Sequence, residues 1–458
     1  MTIKLRSKRF FYENCIFGFQ KYTMSKNIVG FSKRTKEEKI DWLISNYFNG
    51  TNEAKQLLKS YWNSDEKLQR IHDEFIENTV SNFYLPLGVA PNFIINNKEY
   101  TLPMVIEESS VIAASAKAGK YWGSRGGFKT SILGQEKIGQ VHFMFSGDPK
   151  KLYDFFNAIE HLFYSETSEI TKNMSVRGGG ITSIKLIDKT AELNHYFQLH
   201  ACFNTVDSMG ANFINSCLEQ FAKTLVREAS NSDLIKEEEP LEVVMSILSN
   251  YVPNCVVKAE VRCAIDDLEE EDGLSKRQFA EKFVRAVEIA CVEPYRAVTH
   301  NKGIMNGIDA VILATGNDFR AVEAGIHAYA SRTGQYRSLS NAFVDGDDFY
   351  FELQIPLAIG TVGGLTNLHP LVNWSMELLG NPNATELMEI IAVAGLAQNF
   401  GALRSLITSG IQKGHMKMHL LNILNQLKAN DNQKEVAIEY FKTTPVTFSS
   451  VTEFLKNS

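Results

Sequence analysis

The middle of the chain carries an order of elements that few folds accommodate. Segments 141–145, 197–203 and 257–261 alternate apolar residues with polar or less apolar ones, which is typical of strands with one buried face. Helical patterns at 150–165 and 214–225 separate them. Strand, helix, strand pair, helix, strand is the order of a ferredoxin-like unit. The sequence therefore predicts such a unit inside a larger chain.

Helical patterns flank this unit on both sides. Residues 35–80 and most of 368–458 repeat apolar side chains at helical spacing, whereas 84–105 is extended around an Asn-Asn turn. Ser275 and Gln278 have the spacing of a capping box at the start of another helix.

Composition excludes several classes of protein. The 458 residues carry a formal net charge of -6, which argues against a nucleic-acid binder with a broad basic surface. The six cysteines form no C-x-x-C pair and no metal-ligand spacing, so we interpret them as reduced thiols of a cytoplasmic protein. No run of about 18 apolar residues occurs, so we expect no membrane-spanning helix.

The first 23 residues mix basic and aromatic side chains and allow two interpretations. One is a leader or a membrane-surface arm, although the apolar stretch is short and no small-residue cleavage site follows. The other is a disordered extension or a start codon placed too early, with Met24 as the start. We expect residues 1–29 to be an extension outside the folded domains.

Segment 300–318, HNKGIMNGIDAVILATGND, is the most unusual part of the chain. Lys302 lies in an apolar, glycine-containing stretch, where a lysine must reach solvent, pair with an acid or serve chemistry. Asp318 follows the apolar run, so a structural ion pair between the two is one interpretation and a catalytic pair the other. The chain contains no G-x-G-x-x-G and no G-x-x-x-x-G-K-[ST] segment.

Two further candidates have a structural and a functional interpretation. Glu107 and Glu108 precede a small-residue helix, where carboxylates often interact with the helix dipole; next to apolar residues a carboxyl group could instead donate a proton. His415 and His419 share a helix face, but no third metal ligand accompanies them, so capping or surface histidines are the alternative.

Several long segments carry the motifs of one known family. The central one is EPYRAVTHNKGIMNGIDAVILATGNDFRAVEAG at 293–325. Others follow in the same order as in that family: ENTVSNFYLPLGVAPNF (77–93), DSMGAN (207–212), GTVGGLTNLHP (360–370), GLAQNFGALRSL (395–406) and IQKGHM (411–416). By these segments the chain resembles the hydroxymethylglutaryl-coenzyme A reductases of the soluble bacterial (class II) type, and the resemblance runs from about Gly30 to beyond His419.

The resemblance implies roles for matching residues. The catalytic residues would be Glu108, Lys302, Asp318 and His415. The hydroxymethylglutaryl group would be held by Ser110, Arg296 and Asn306. The nicotinamide cofactor would contact Asp207, Met209, Gly210, Asn212 and Asn250. Glycine of the family's Glu-Asn-Val-Ile-Gly segment is replaced by Ser81, and proline of its Glu-Pro-Ser segment by Ser109.

The resemblance also implies an α+β fold with three domains. These would be a large mixed helical and sheet substrate domain (30–135 and 265–410), an inserted ferredoxin-like cofactor domain (136–264) and a small helical C-terminal flap (411–458). The expected reaction is the reduction of (S)-3-hydroxy-3-methylglutaryl-coenzyme A to (R)-mevalonate and coenzyme A by two NAD(P)H. The expected protein is a cytoplasmic homodimer or higher homo-oligomer with shared sites, and it uses no metal, nucleic acid or membrane.

Cofactor choice depends on the segment before Gly178. NADH-using members carry an aspartate there, whereas this chain has Thr171 and Lys172. An acid repels a 2′-phosphate and a threonine–lysine pair can accept one, so we expect NADPH, with NADH as the alternative. The rival functions are a lysine Schiff-base aldolase, a non-redox coenzyme A thioester hydrolase or lyase, and a non-catalytic binding protein.

Overall fold

A computed structural model of the chain describes residues 27–238, 240–364, 368–408, 410, 420–442 and 444–457. The chain divides into two units, Met1–Tyr84 and Leu85–Ser458. Helices and sheets are mixed in the second unit, so the predicted α+β class is confirmed. The domain boundaries predicted above remain predictions.

The first unit contains helices α1 (Lys36–Tyr47), α2 (Asn52–Ser60) and α3 (Glu66–Asp73). A capping box formed by Thr35 and Glu38 begins α1. Lys36 joins α1 to the end of α3 through a 2.7 Å ion pair with Asp73. The hydroxyl of Ser81 donates a 2.6 Å hydrogen bond to the Leu58 carbonyl, so the serine that replaces the family's glycine ties this segment to α2.

The secondary structure of the second unit is given in chain order. Its described strands are β1 (Leu87–Ile95), β2 (Lys98–Val105), β3 (Lys129–Ile132), β4 (Lys137–Met144), β5 (Gly180–Asp188), β6 (Tyr196–Asn204), β7 (Glu242–Ser249), β8 (Val256–Ala264), β9 (Ser340–Asp345) and β10 (Asp348–Pro356). Its described helices up to residue 408 are α4 (Val111–Gly123), α5 (Pro149–Glu166), α6 (Ser168–Val176), α7 (Ala211–Asn231), α8 (Lys276–Val292), α9 (Pro294–Ala314), α10 (Phe319–Ala330), α11 (Pro370–Leu378) and α12 (Ala384–Ile407).

The inserted sheet has the antiparallel order β5-β6-β4-β7. Helices α5, α6 and α7 pack on it, around an aromatic core that includes Phe143, Phe163, Phe197 and Phe221. We predicted that the strand at 257–261 closes this sheet, and that was wrong. That strand exists as β8, but it pairs with β3 and β10, and β7 closes the inserted sheet instead.

The second four-stranded sheet, β3-β8-β10-β9, packs with the long helices α8, α9 and α12 in one apolar core. By length and composition, α12 is long and apolar enough to cross a membrane, but 72% of its most apolar window is buried inside the protein. A helix that is apolar on most of its faces can be accommodated in the core of a protein, and the burial of α12 fits that case.

The described C-terminal residues are mostly helical, as predicted. Residues 420–426 are helical, and the helices Asp431–Tyr440 and Phe448–Asn457 follow. Leu424, Ala437 and Val451 are completely buried in a small core of their own. Residues 411–419, which include His415 and His419, lie outside the described residues.

Helices α9 and α12 approach closely at one glycine. A Cβ atom added to Gly307 would lie 2.3 Å from the Ala394 carbonyl oxygen, whereas one added to Gly303, a turn earlier in α9, would meet nothing within 4 Å. Backbone cannot retreat as a flexible side chain can. The absence of a side chain at Gly307 therefore sets the distance between these helices.

We predict opposite effects of alanine at these two positions. Gly307→Ala should destabilise the protein by about 1–3 kcal/mol through overpacking. Gly303→Ala should stabilise it by about 1 kcal/mol, since alanine is the better helix former. Unfolding in denaturant, followed by circular dichroism, measures both. Equal shifts of the two midpoints would contradict this packing.

Candidate active site

Helix α9 presents the predicted substrate residues on the wall of one cavity. The helix begins at Pro294, and the Glu293 carboxylate caps it by accepting a 2.7 Å hydrogen bond from the Arg296 backbone N–H. Arg296 and His300 are one turn apart, as are Lys302 and Asn306, so each pair shares a face. All four side chains line a cavity of about 910 Å³, within the usual volume range of small-molecule sites.

The start of α4 forms the opposite wall. Ser110 caps this helix with φ 74°, in the left-handed region, and its hydroxyl makes no capping hydrogen bond. A serine in that conformation is strained, and such strain concentrates at functional sites. No acidic residue lies in the first turn of α4, so Glu108 does not serve as the helix cap that the sequence allowed as an alternative.

Glu108 instead pairs with Lys302. The Lys302 Nζ atom lies 2.5 Å from Glu108 Oε2, and Asn306 Nδ2 donates to the same oxygen at 3.3 Å. The Lys302 side chain is 59% exposed and that of Glu108 is 38% exposed. The pair can therefore reach a substrate carbonyl entering the cavity, with the lysine as electrophile and the carboxyl group as its partner.

Asp318 lies at the other end of α9, so the ion pair with Lys302 is not formed within one chain. Asp318 caps α10 by accepting hydrogen bonds from the Arg320 and Ala321 backbone N–H groups, and its carboxylate lies 2.9 Å from the Arg320 guanidinium. The 12 residue steps along α9 from Lys302 to Ala314 span about 18 Å. The three predicted catalytic residues in the described part of the chain therefore separate into two places, Glu108 with Lys302 and Asp318 apart from them.

The second place is the loop that precedes α7, which contains the predicted cofactor residues. The Asp207 carboxylate accepts a 2.9 Å hydrogen bond from the Ala384 backbone N–H, and its carbonyl accepts one from Thr361 N–H. A Cβ atom on Gly360 would lie 2.4 Å from the Met209 nitrogen. Gly210, at φ 90°, caps α7 immediately before Asn212 enters its first turn. The loop is thus held directly against segment 359–362.

The same segment connects the loop to Asp318. The Gly360 N–H donates a 2.9 Å hydrogen bond to Asn317 Oδ1, one residue before Asp318. Asn250 also lies in this region. A Cβ atom added to Gly325 of α10 would lie 2.5 Å from the Asn250 carbonyl oxygen. The predicted cofactor residues and Asp318 therefore share one end of the second unit.

The two residues predicted to select the cofactor lie on α6. The Thr171 hydroxyl donates to the Ser168 carbonyl, and Lys172 lies 3.6 Å from Glu169. The glycine turn that follows α6 packs on the cofactor loop, because a Cβ on Gly179 would lie 2.9 Å from a side-chain carbon of Val206 in that loop. Thr171 and Lys172 thus belong to the same half of the site as Asp207.

Sequence reasoning missed one buried group in the cavity. The Ser340 hydroxyl donates to Asn399 Oδ1, so His300 Nε2 donates to Ser340 Oγ at 2.7 Å. This leaves Nδ1 as an acceptor without a partner in the described part of the chain. Burial, together with the charge of Arg296, lowers the pKa of His300 to about 3. The imidazole is therefore neutral. From the sequence, only its position two residues before Lys302 could have marked His300 as a candidate.

Fold and site define the class of protein: an α+β enzyme with an inserted antiparallel-sheet unit and a cavity that contains a lysine–carboxylate pair. Hydroxymethylglutaryl-coenzyme A reductase is the family whose model matches residues 37–420. The chain belongs to this family, whose members are oxidoreductases of the mevalonate pathway.

Relatives and solved structures agree with this assignment. The 3-hydroxy-3-methylglutaryl-coenzyme A reductase of Archaeoglobus fulgidus is 34% identical over 418 residues, which is 91% of each chain. A probable reductase of Borreliella burgdorferi is 33% identical over 83% of this chain and 86% of its own. The class II reductase of Streptococcus pneumoniae bound to NADPH has a TM-score of 0.68 at 35% identity and covers 83% of this chain and 99% of its own.

A half-buried carboxyl pair, Asp309 on α9 and Glu323 on α10, should make stability depend on pH. Burial first, and then the hydrogen bond and charge of Glu323, raise the pKa of Asp309 from 3.8 to about 8. The folded state therefore holds a proton that the unfolded chain releases near pH 4, so this contribution to stability falls as pH rises and is lost once pH passes about 8.

We predict that Asp309→Asn flattens this dependence, because the amide cannot ionise. Unfolding midpoints of the wild type and variant, measured from pH 5 to 9, should converge at the alkaline end or cross there. Asp345→Asn, at an exposed carboxylate, serves as the control and should follow the wild type. Parallel curves for wild type and Asp309→Asn would show that the carboxyl group ionises normally.

Proposed function

We propose that this chain reduces (S)-3-hydroxy-3-methylglutaryl-coenzyme A to (R)-mevalonate and coenzyme A with two molecules of NADPH. The observation that supports this most directly is the Glu108–Lys302–Asn306 cluster beside Arg296 in one cavity. Arg296 is half-buried, which lowers the pKa of its guanidinium, and a substrate carboxylate would compensate that buried charge.

The residues would divide the chemistry as follows. Lys302 stabilises the oxyanion that forms when the thioester carbonyl becomes tetrahedral. Asp318 keeps the lysine oriented and charged, and His415 protonates the departing coenzyme A thiolate. Glu108 then donates a proton to the oxygen of the mevaldehyde intermediate. Ser110 and Arg296 hold the hydroxymethylglutaryl group throughout.

The cofactor loop suits a reduced nicotinamide dinucleotide, which supplies the hydride in each step. Gly210 and Gly360 let the loop pack closely, Gly210 against Thr205 and Gly360 against Met209. The loop ends at the N-terminus of the 21-residue helix α7, where N–H groups favour an anion. NADPH is bound by the Streptococcus pneumoniae relative. Thr171 and Lys172 of α6 offer a hydroxyl and a cation for its 2′-phosphate, although the alternative of NADH stays open to test.

We propose that the working unit is a homodimer with shared sites. Within one chain, about 18 Å of helix α9 separates Lys302 from the turn that carries Asp318, so a second copy would bring Asp318 and the cofactor loop to the Glu108–Lys302 pair. The helices around this pair carry exposed apolar side chains, which in contiguous patches mark protein interfaces. They are Ile289, Val292, Tyr295, Val298, Leu371 and Trp374.

A cytoplasmic location is part of the proposal. Cys202, Cys217, Cys255, Cys263 and Cys291 are free thiols in the described chain. Burial raises the pKa of Cys217 to about 12 and of Cys255 to about 11, so these thiols stay protonated and unreactive. Free thiols are typical of a reducing compartment.

We predict that the purified chain oxidises two NADPH for each coenzyme A thiol released from hydroxymethylglutaryl-coenzyme A. Absorbance at the reduced-nicotinamide band and a thiol reagent measure the two quantities, with NADPH and NADH offered in turn. Lys302→Ala should lower kcat by at least about a hundredfold, since it removes the group that stabilises the oxyanion. Lys129→Ala, on an exposed strand residue, is the control and should retain full activity.

The rivals give different results in this assay. A hydrolase or lyase releases thiol, or cleaves the substrate, without oxidising cofactor. A Schiff-base aldolase forms an adduct that borohydride traps on Lys302. Thiol release or adduct formation with no change in nicotinamide absorbance would reject the reductase proposal.

The shared site predicts complementation between two inactive variants. In a mixed dimer of Lys302→Met and Asp318→Asn chains, one site carries both substitutions and the other carries neither. The isolated mixed dimer should therefore show about half of wild-type activity, and the unfractionated product of random pairing about a quarter. The two variants are co-expressed with different tags, and the doubly tagged dimer is isolated and assayed. Each variant alone is the control, and a mixed dimer as inactive as its parents would place each site within a single chain.

A further inference from the structure

Lys137 is a buried charge that the reaction scheme does not use. It begins β4, and the residue is 6% exposed. Desolvation lowers the pKa of its ammonium to about 8, although the charges of Cys255 and Asp207 act in the opposite direction. Burying an ammonium group costs free energy unless hydrogen bonds compensate for the lost hydration. The hydrogen-bond partners of Lys137 therefore indicate what the residue does.

The three donors of the ammonium are all used. Lys137 Nζ lies 2.6 Å from Thr205 Oγ1, 2.6 Å from the Ser208 carbonyl oxygen and 3.4 Å from the Ile359 carbonyl oxygen. A lysine ammonium has three donors and no acceptor. Two of its partners belong to the cofactor loop, and the third belongs to the segment on which that loop packs.

These bonds continue on both sides of the lysine. The Thr205 hydroxyl, which accepts from Lys137, donates in turn to the Ser208 carbonyl at 2.6 Å. On the other side, the residue after Ile359 is Gly360, whose N–H donates to Asn317 beside Asp318. The Lys137 ammonium therefore connects the cofactor loop to the turn that carries Asp318.

An apolar side chain would fill the same space at lower cost. Replacing buried ions by apolar groups of similar volume is often neutral or stabilising, and Ile359 and Met388 line the narrow space around Lys137. What a methionine could not do is hold two backbone carbonyls at fixed positions. The geometry thus favours a role in positioning over a role in filling the core.

We propose that Lys137 is a positioning residue for hydride transfer: it holds the loop at 205–210 and the Asp318 turn in register with each other. This inference rests on the proposed function, because it takes that loop to be the nicotinamide site. Glu108, Lys302 and Asn306 bond to one another and not to Lys137 or its partners, so binding of the hydroxymethylglutaryl group should not depend on Lys137.

The test compares Lys137→Met and Thr205→Val with the wild-type full-length enzyme. Each variant should raise the KM for NADPH about tenfold, as expected for loss of a charge-assisted hydrogen bond, and lower kcat, while the KM for hydroxymethylglutaryl-coenzyme A changes less than twofold. The two substitutions remove parts of one network, so the double variant should lose much less than the product of the single losses. Binding of NADPH without substrate, followed by its fluorescence, should show the same weakening.

Val141→Ala is the matched control for destabilisation. Val141 lies four residues after Lys137 in the same strand and is completely buried. Alanine there should lower the unfolding midpoint and leave the KM for NADPH unchanged. An unchanged KM for NADPH in Lys137→Met, with wild-type reductase activity intact, would overturn the positioning role and leave the proposed function standing. So would independent, multiplicative effects of the two substitutions. Absence of NADPH oxidation in the wild type would instead reject the proposed function itself.

Discussion

The close packing of α9 against α12 is the constraint on which the site depends. Gly307 meets the Ala394 backbone, and Gly395 of α12 meets Ile308 in return, since a Cβ there would lie 2.8 Å from that side chain. Two glycines facing each other across the interface allow a separation that larger residues would forbid. Because the face of α9 that packs on α12 is fixed in this way, the position of Lys302 in the cavity wall is fixed as well.

The length of α9 has a consequence for assembly. A helix that carries Lys302 near its middle and leads to Asp318 beyond its end cannot bring the two side chains together. The protein therefore contains two half-sites, each internally connected: Glu108 with Lys302 and Asn306, and Asp207 with segment 359–362 and Asn317. Under the proposed shared site, catalysis would require two copies of the chain to associate.

How far the sequence predicted this structure differs from one residue to another. Glu108 and Lys302 could be chosen from a motif, but their contact could not, since 194 residues separate them. The strand at 257–261 was predicted correctly as a strand and assigned to the wrong sheet, because alternation reports one buried face and not the partner. Strand β7 was missed because Val244 and Met245 are both exposed, which breaks the alternation. Lys137 follows Glu136 and looks like an ordinary exposed lysine until the fold buries it.

The exposure of the Glu108–Lys302 pair is a physical reason for the proposed second copy to complete the site. Water screens an ammonium, so its interaction with an oxyanion is weak at high dielectric and grows as solvent is removed. In one chain the lysine side chain is 59% exposed, whereas the loop side of the site is already fixed by a buried ammonium. The cofactor-loop half, which Lys137 already holds in place, could thus cover the exposed Glu108–Lys302 pair of a second copy. Covering Lys302 with a second copy would strengthen the charge that the reaction needs at the moment the site is completed.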